Sequence, residues 1–235
     1  MIKVLTQNPI AVDSDDHIHP EGIYLDNNLN PEFINSVESY FQRKINFLDL
    51  GCAGGRLVCN MHERGHKSIG LEGSDHCLNI IEDMVNEVGC LPYGHEEWKK
   101  YGNEILFTCD ITKDYDILED DNILQFDLIT CWDVMEHFNP DDVNNFMFNL
   151  KKHLKIGGIF VASIALFPSY RHETSLNTPE NLNYHKSLFP KEWWIGKLDS
   201  YLYQIEYPFS CCNRSYIPIY GEPNRYLVYA GKRTI

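Results

Sequence analysis

The sequence predicts an α/β fold: a doubly wound, mostly parallel sheet of seven strands, with helices on both faces and an antiparallel C-terminal edge. Three observations predict it. Short apolar runs alternate with amphipathic stretches of about 10–15 residues, the pattern of parallel strands joined by helical crossovers. A glycine-rich loop, Asp49-Leu50-Gly51-Cys52-Ala53-Gly54-Gly55, ends the first of those runs. An acid stands at or just beyond the end of each of the first four runs: Asp49, Glu72, Asp110 and Asp133.

Taken in order, residues 1–44 read as a helical or irregular extension, in which Asn30 and Pro31 open an amphipathic helix to about Phe41. Residues 45–50 form a short buried strand, and a helix follows from Gly54 to Arg64. Residues 67–72 are the second strand and 75–88 the second helix. The stretch 86–103, with Pro92, Tyr93, Gly94 and Trp98, reads as a lid or surface excursion before the third strand at 105–108. Residues 126–130 are the fourth strand. Asn139 and Pro140 open a helix to about His153, with Asp141 and Asp142 at the positive end of its dipole. Gly157 and Gly158 end that helical region, and 159–165 is the fifth strand. Beyond it lie a polar, aromatic loop (166–188), a short helix (190–198) and two closing strands (201–207 and 225–230). Without an internal repeat or low-complexity linker, residues 1–235 read as one domain.

Composition narrows the function. Hydrophobic and charged contents of 43% and 23% are those of an ordinary globular chain. No apolar run reaches the roughly 18 residues of a membrane span. Residues 1–20 carry Asp13, Asp15 and Asp16 and do not read as a signal peptide. The eight cysteines show no CxxC spacing, so they read as reduced, buried thiols of a cytoplasmic protein. A net charge of −14 argues against nucleic acid, whose phosphates are gripped by Lys and Arg, and favours a neutral or cationic ligand.

Gly51 and Gly55 let the backbone turn tightly and approach a ligand. Asp49 stands where a dinucleotide's pyrophosphate would lie; a carboxylate there repels phosphate and suits an ammonium or sulfonium group. That disfavours an NAD-dependent dehydrogenase. Glu72, ending the second strand, is placed to accept ribose hydroxyls.

Together, Asp49–Gly55, Gly70-Leu71-Glu72-Gly73-Ser74, Cys109-Asp110-Ile111 and the run from Phe126 through Trp132-Asp133 to Glu136-His137 resemble the class I S-adenosylmethionine-dependent methyltransferases. The resemblance runs from about Ile45 to Ala165, with the motifs in the family's order. It implies a Rossmann-like methyltransferase fold and S-adenosylmethionine as cofactor, leaving as S-adenosylhomocysteine. Asp49 and the backbone of Gly51, Ala53 and Gly55 would hold the methionine portion. Glu72, followed by Gly73, would hold the ribose. Asp110 and Ile111 would meet the adenine, and Trp132 and Asp133 would line the pocket near the methyl group. The core is then 45–165, with 166–235 the acceptor side.

Methyl transfer needs an aligned nucleophile and a base for its proton. The candidates are His137, His185 and Asp133, with Glu136 beside them. The spacing Asp133-x-x-Glu136-His137 followed by His185 also resembles the metal set of small-RNA 3′-terminal 2′-O-methyltransferases. Asp replaces that family's first Glu, so a divalent metal is possible but not favoured. The phrase from His185 through Pro190 to Trp193-Trp194 is similar to methyltransferases of glycan modification, although core packing also explains the tryptophans. Tyr170, Arg171, His172 and Tyr184 share the same region as candidate acceptor contacts. The expected enzyme is an O-directed methyltransferase of a small hydroxyl-bearing acceptor, such as a sugar or glycan precursor. A metal-dependent RNA-end methyltransferase and a silent cofactor-binding scaffold are the alternatives.

Overall fold

The computed structural model describes residues 1–169, 182–222 and 225–235. Its main sheet has seven strands, taken here in chain order with the helices between them. Strand β1 (Ile2–Thr6) lies outside that sheet and is followed by two short helices, α1 (Asp15–Ile18) and α2 (Glu21–Leu25). Helix α3 (Pro31–Phe41) begins where expected: the Asn30 side chain accepts from Glu32 N, Pro31 needs no donor partner, and Phe33, Ile34 and Val37 are buried. Then come β2 (Asn46–Leu50), α4 (Arg56–Glu63), β3 (Lys67–Glu72), α5 (Glu82–Val88), α6 (His95–Tyr101) and β4 (Leu106–Thr108). The chain continues through β5 (Tyr115–Glu119), β6 (Asn122–Ile123), β7 (Phe126–Trp132), α7 (Val143–His153), β8 (Leu154–Ala165), α8 (Lys191–Asp199), β9 (Tyr203–Gln204) and β10 (Tyr226–Lys232).

The main sheet runs β4-β3-β2-β7-β8-β10-β9. Its first five members pair in parallel, and β10 and β9 make the antiparallel edge. This is the doubly wound α/β fold. Every residue of β7 is buried, as expected of a central strand covered on both faces. The chain leaves β2 toward β3 and β4, then returns to β7 on the other side, so the order reverses between β2 and β7. Open α/β sheets bind ligands at such a reversal, beyond the carboxyl ends of the strands.

Four local expectations are corrected. The N-terminal segment contains a strand: β1, which alternates half-buried with exposed residues, pairs antiparallel with β5, and β6 completes a three-stranded sheet. The second helix is only α5, because residues 75–81 turn instead to carry His76 and Cys77 inward. Strand β8 starts at Leu154; Gly157, at φ 79°, takes the register shift that precedes Ile159 rather than marking the strand's start.

Finally, 86–103 is not a lid. Trp98 of α6 is buried and donates its indole N–H to the Ala53 carbonyl at 2.8 Å. Gly94 packs so closely on the glycine loop that a Cβ there would stand 2.0 Å from Gly54 Cα. Trp194 is fully buried and Trp193 stacks on Phe189 at 3.8 Å, so both tryptophans of α8 serve packing. Among the described residues, no helix is long and apolar enough to cross a membrane.

The contact between Gly94 and Gly54 sets backbone against backbone, where nothing flexible can yield. Gly94→Ala is expected to lower unfolding stability by about 1–3 kcal/mol or more, read by urea denaturation. Unchanged stability would show that the segment before α6 is not docked on the loop.

Candidate functional site

A cavity of about 420 Å³ opens beyond the carboxyl ends of β2, β3, β4 and β7, within the range of roughly 300–1,000 Å³ usual for small-ligand sites. Gly51 and Ala53 line it after β2, Glu72 and Gly73 after β3, Asp110 and Ile111 after β4, and Asp133 after β7. His137 and His185 face it from the other side. Three expected residues are not on its wall. Asp49 is buried and accepts from Thr130 Oγ1 at 2.6 Å. Gly55 instead caps α4 at φ 79°, against Leu106. Trp132 turns inward and meets Phe33 edge-on at 5.2 Å.

The glycine loop is held by a buried carboxylate. Glu72 Oε2 accepts from Ala53 N at 2.8 Å and Oε1 from Ser74 N at 3.1 Å. Ala53 sits at φ 44° and Asp133 at φ 53°, a left-handed conformation uncommon outside glycine. At Ala53 the strain is met by bonds on both sides, Glu72 to its N–H and Trp98 to its carbonyl. Asp133 is fixed by Ser163 Oγ at 2.6 Å and Tyr216 Oη at 2.8 Å. Burial raises the Glu72 carboxyl to about 7 despite those two backbone N–H groups. Burial likewise raises Asp49 to about 7 against the Thr130 hydroxyl.

Sequence reading missed the cavity's cover. Residues 8–17 cross the site: Asn8 O accepts from Asp110 N, and Ala11 N donates to Gly73 O at 2.8 Å. A Cβ at Gly73 would touch Ala11 Cβ at 3.0 Å. Asp16 then forms an ion pair with His137 Nδ1 at 2.6 Å, and Asp15 one with Lys186 at 2.5 Å. Also missed were Asp26 and Arg214, which meet in a two-pronged pair on the wall; Arg214 donates as well to the Trp132 carbonyl. No local pattern marks these residues: Asp15 and Asp16 lie on the four-residue α1, and Asp26 and Arg214 on irregular chain. The cavity carries eight carboxylates against three Lys and Arg side chains, an excess that rejects anions.

The two histidines have opposite states. Burial alone would lower His137, but the Asp16 carboxylate beside it, with the charges of Glu136 and Asp133, outweighs burial and lifts it to about 9. His185 donates Nδ1–H to the Phe167 carbonyl at 2.5 Å; burial lowers it, and the His137 charge adds to that. Glu136 is fully buried, accepts from Ala165 N at 2.9 Å, and is raised by burial and the Asp133 charge. Ligand-capable atoms of Glu136, His137 and His185 lie within 4.8 Å of one another; Asp133 is not in that group. Tyr184 is buried, its hydroxyl 3.4 Å from the His19 carbonyl. Tyr170, Arg171 and His172 lie outside the described residues.

The His137–Asp16 pair makes stability depend on pH. Its contribution is present in full below the imidazole's unfolded value of about 6.5 and is lost as pH rises through about 9. In Asp16→Asn, the fall in melting temperature between pH 6.5 and 9.5 should shrink relative to the parent. Parallel curves would show that the pair is not formed.

Residues 25–207 match a family described as methyltransferase domain. No curated protein matches the chain. Among solved structures, a 1,6-didemethyltoxoflavin-N1-methyltransferase from Burkholderia thailandensis aligns at 16% identity and TM-score 0.54, over 94% of this chain and 84% of that one. The PH0226 protein of Pyrococcus horikoshii OT3 aligns at 14% identity and TM-score 0.53, over 97% and 96%. An S-adenosylmethionine-dependent methyltransferase from Clostridium acetobutylicum aligns at 16% and 0.52, over 93% and 95%. These likenesses bear on the fold; the family match, spanning most of the chain, bears on descent. The chain belongs to the methyltransferase domain family and is a class I S-adenosylmethionine-dependent methyltransferase.

Proposed function

We infer that the enzyme methylates an oxygen of a small hydroxyl-bearing acceptor, such as a sugar or glycan precursor, with His185 as general base. The observation that carries this reading is the tautomer of His185. With Nδ1–H given to the Phe167 carbonyl, the Nε2 lone pair is free for a substrate proton, and the lowered pKa keeps the ring neutral near pH 7. In the displacement, the acceptor oxygen bonds the methyl carbon while the carbon–sulfur pair returns to sulfur. The hydroxyl proton passes to Nε2, and S-adenosylhomocysteine leaves. His137, held as a cation by Asp16, cannot take that proton; it and Asp133 shape the wall around the reacting groups.

Glu72 takes the ribose hydroxyls in this reading, on lone pairs left over from its two backbone bonds. Asp110 has one oxygen committed to Thr112, and the other is available to the adenine amino group beside Ile111. The amino-acid end of the cofactor lies along Gly51 and Ala53. There Arg214 matches its carboxylate and Asp26 its ammonium. Asp49 acts from beneath the loop rather than by contact. The whole chain serves as one methyltransferase domain in the cytoplasm, where its eight unpaired cysteines persist as thiols. The acidic wall disfavours nucleic acid. It equally suits a cationic amine, which is the second reading.

Methyl transfer from labelled cofactor to panels of neutral polyols and sugars, of amines, and of RNA ends separates these readings. Turnover confined to hydroxyl acceptors is expected. Turnover of amines alone would replace the first reading with the second. His185→Asn should lower kcat by about 10²–10⁴ while affinity for S-adenosylhomocysteine holds; an unaffected kcat would remove His185 from the chemistry.

Ribose hydroxyls donate best to an ionised carboxylate. Affinity for S-adenosylhomocysteine should therefore rise from pH 6 to 8 as Glu72, held near 7, loses its proton. In Glu72→Gln the slope should flatten and affinity should drop at least about tenfold. Titration calorimetry reads both, and an unchanged slope would show that Glu72 is not the ribose acceptor.

A further inference from the structure

The cover of the cavity meets the loop after β3 at a second histidine cluster, unrelated to the proposed chemistry. Asp75 and His76 follow the cofactor-side residues Glu72, Gly73 and Ser74, and His17 comes to them from α1. Ligand-capable atoms of His17, Asp75 and His76 all lie within 4.8 Å of one another. The two rings stack with centroids 5.0 Å apart.

His76 is the telling member. It is only 5% exposed. Its Nε2 lies 2.9 Å from the His17 carbonyl, which can only accept, so that nitrogen carries the proton. In the neutral ring the lone pair is then on Nδ1, which is buried with no hydrogen-bond partner. A buried acceptor left unpaired costs about 1–3 kcal/mol. A backbone carbonyl fixing the distal N–H of a histidine is also the usual support of a metal-ligating imidazole. Beside that lone pair stand a second imidazole and a carboxylate. His17 is half-buried, its Nδ1 3.3 Å from the Ser74 hydroxyl, which can give way to an ion.

We propose that His17, Asp75 and His76 form a binding site for a zinc-class divalent ion that clasps the N-terminal cover to the loop after β3. Two imidazoles and one carboxylate are a donor set for zinc and its late first-row neighbours. Bonds of about 2.0–2.2 Å place tetrahedral ligand atoms about 3.3 Å apart, so atoms within 4.8 Å of one another need to close in by at most about 1.5 Å. Two of the three residues are half-buried, and their present side-chain contacts, Asp75 to Asn79 and His17 to Ser74, are to neutral groups that an ion can displace. The fourth position is open to water. Because His17 lines the cavity and Glu72 is three residues before Asp75, the ion would tie down the cover at the cofactor's edge. The site is independent of which acceptor is methylated.

The test is titration of chelator-treated full-length protein with Co(II), followed by visible absorption, and with Zn(II), followed by calorimetry. One ion per chain, with the intense d–d bands of a tetrahedral N₂O₂ site (water included), is expected. His17→Asn and Asp75→Asn, both half-buried, should each weaken binding at least tenfold; His76→Asn should abolish it. Zinc should also slow hydrogen exchange across residues 8–18 in the parent but not in His17→Asn. The absence of stoichiometric binding would overturn the proposal. So would binding that survives His17→Asn and Asp75→Asn but is lost in His185→Asn, since the ion would then sit among Glu136, His137 and His185.

Discussion

The site depends first on the buried carboxylate of Glu72. It ends β3, yet its bonds reach back to the backbone N–H of Ala53 in the loop after β2 and forward to that of Ser74. One side chain thus braces the ends of two adjacent parallel strands. The same atoms are drawn out of water, which is why burial raises the carboxyl to about 7. Two neutral donors do not repay the desolvation of a full charge. The carboxylate is left short of partners at the edge of a ligand cavity, a natural state for a group awaiting hydroxyl donors.

Around that brace the loop is over-determined. Ala53 is held at its amide by Glu72 and at its carbonyl by Trp98, and Gly94 leaves no space beside Gly54. The left-handed Ala53 is therefore kept by three separate elements: the end of β3, helix α6 and the turn before it. The opposite wall is looser. Residues 8–17 reach it through single backbone bonds to Gly73 and Asp110, through the contacts of His17 with Ser74 and His76, and through the ion pairs of Asp15 and Asp16. A rigid floor under a lightly fastened cover lets a ligand enter without disturbing the groups that orient it.

How far the sequence could be read follows the same division. The parallel core was legible because β2, β3, β7 and β8 are apolar runs buried on both faces, and because the glycine loop and its acids mark their ends. The helix over 75–88 failed: Cys77 is pulled inward, a tertiary demand that overrides helical spacing. The strand β1 was hidden because its partner β5 lies more than a hundred residues away and β1 has no fully buried residue, leaving a weak apolar signal. At the site, residues at strand ends were found and those carried on loops were not. Asp26 and Arg214 are 188 residues apart, and no spacing rule joins them. Asp49 and Trp132 were identified at the right strand ends, yet their side chains turn into the core beneath the cavity.

The histidine pair shows what geometry adds to a motif. In sequence, His137 is the more prominent, following Glu136 after a family-like run, whereas His185 stands alone in a loop. Their surroundings reverse that order. An Asp16 carboxylate at 2.6 Å favours the cation of His137, while a backbone carbonyl fixes the tautomer of His185 and burial lowers its pKa. The cation beside it lowers His185 further, while the carboxylates of Asp16, Glu136 and Asp133 keep His137 raised. In the proposed reaction this arrangement has a further consequence. A proton reaching His185 would place two cations with centroids 4.9 Å apart, so it would be passed on quickly rather than kept. The Asp16 that protonates His137 belongs to the cover. Opening the cover would therefore remove the charge that holds His137 protonated and change the proton affinity of the base across from it, coupling closure of the cavity to its readiness to accept a proton.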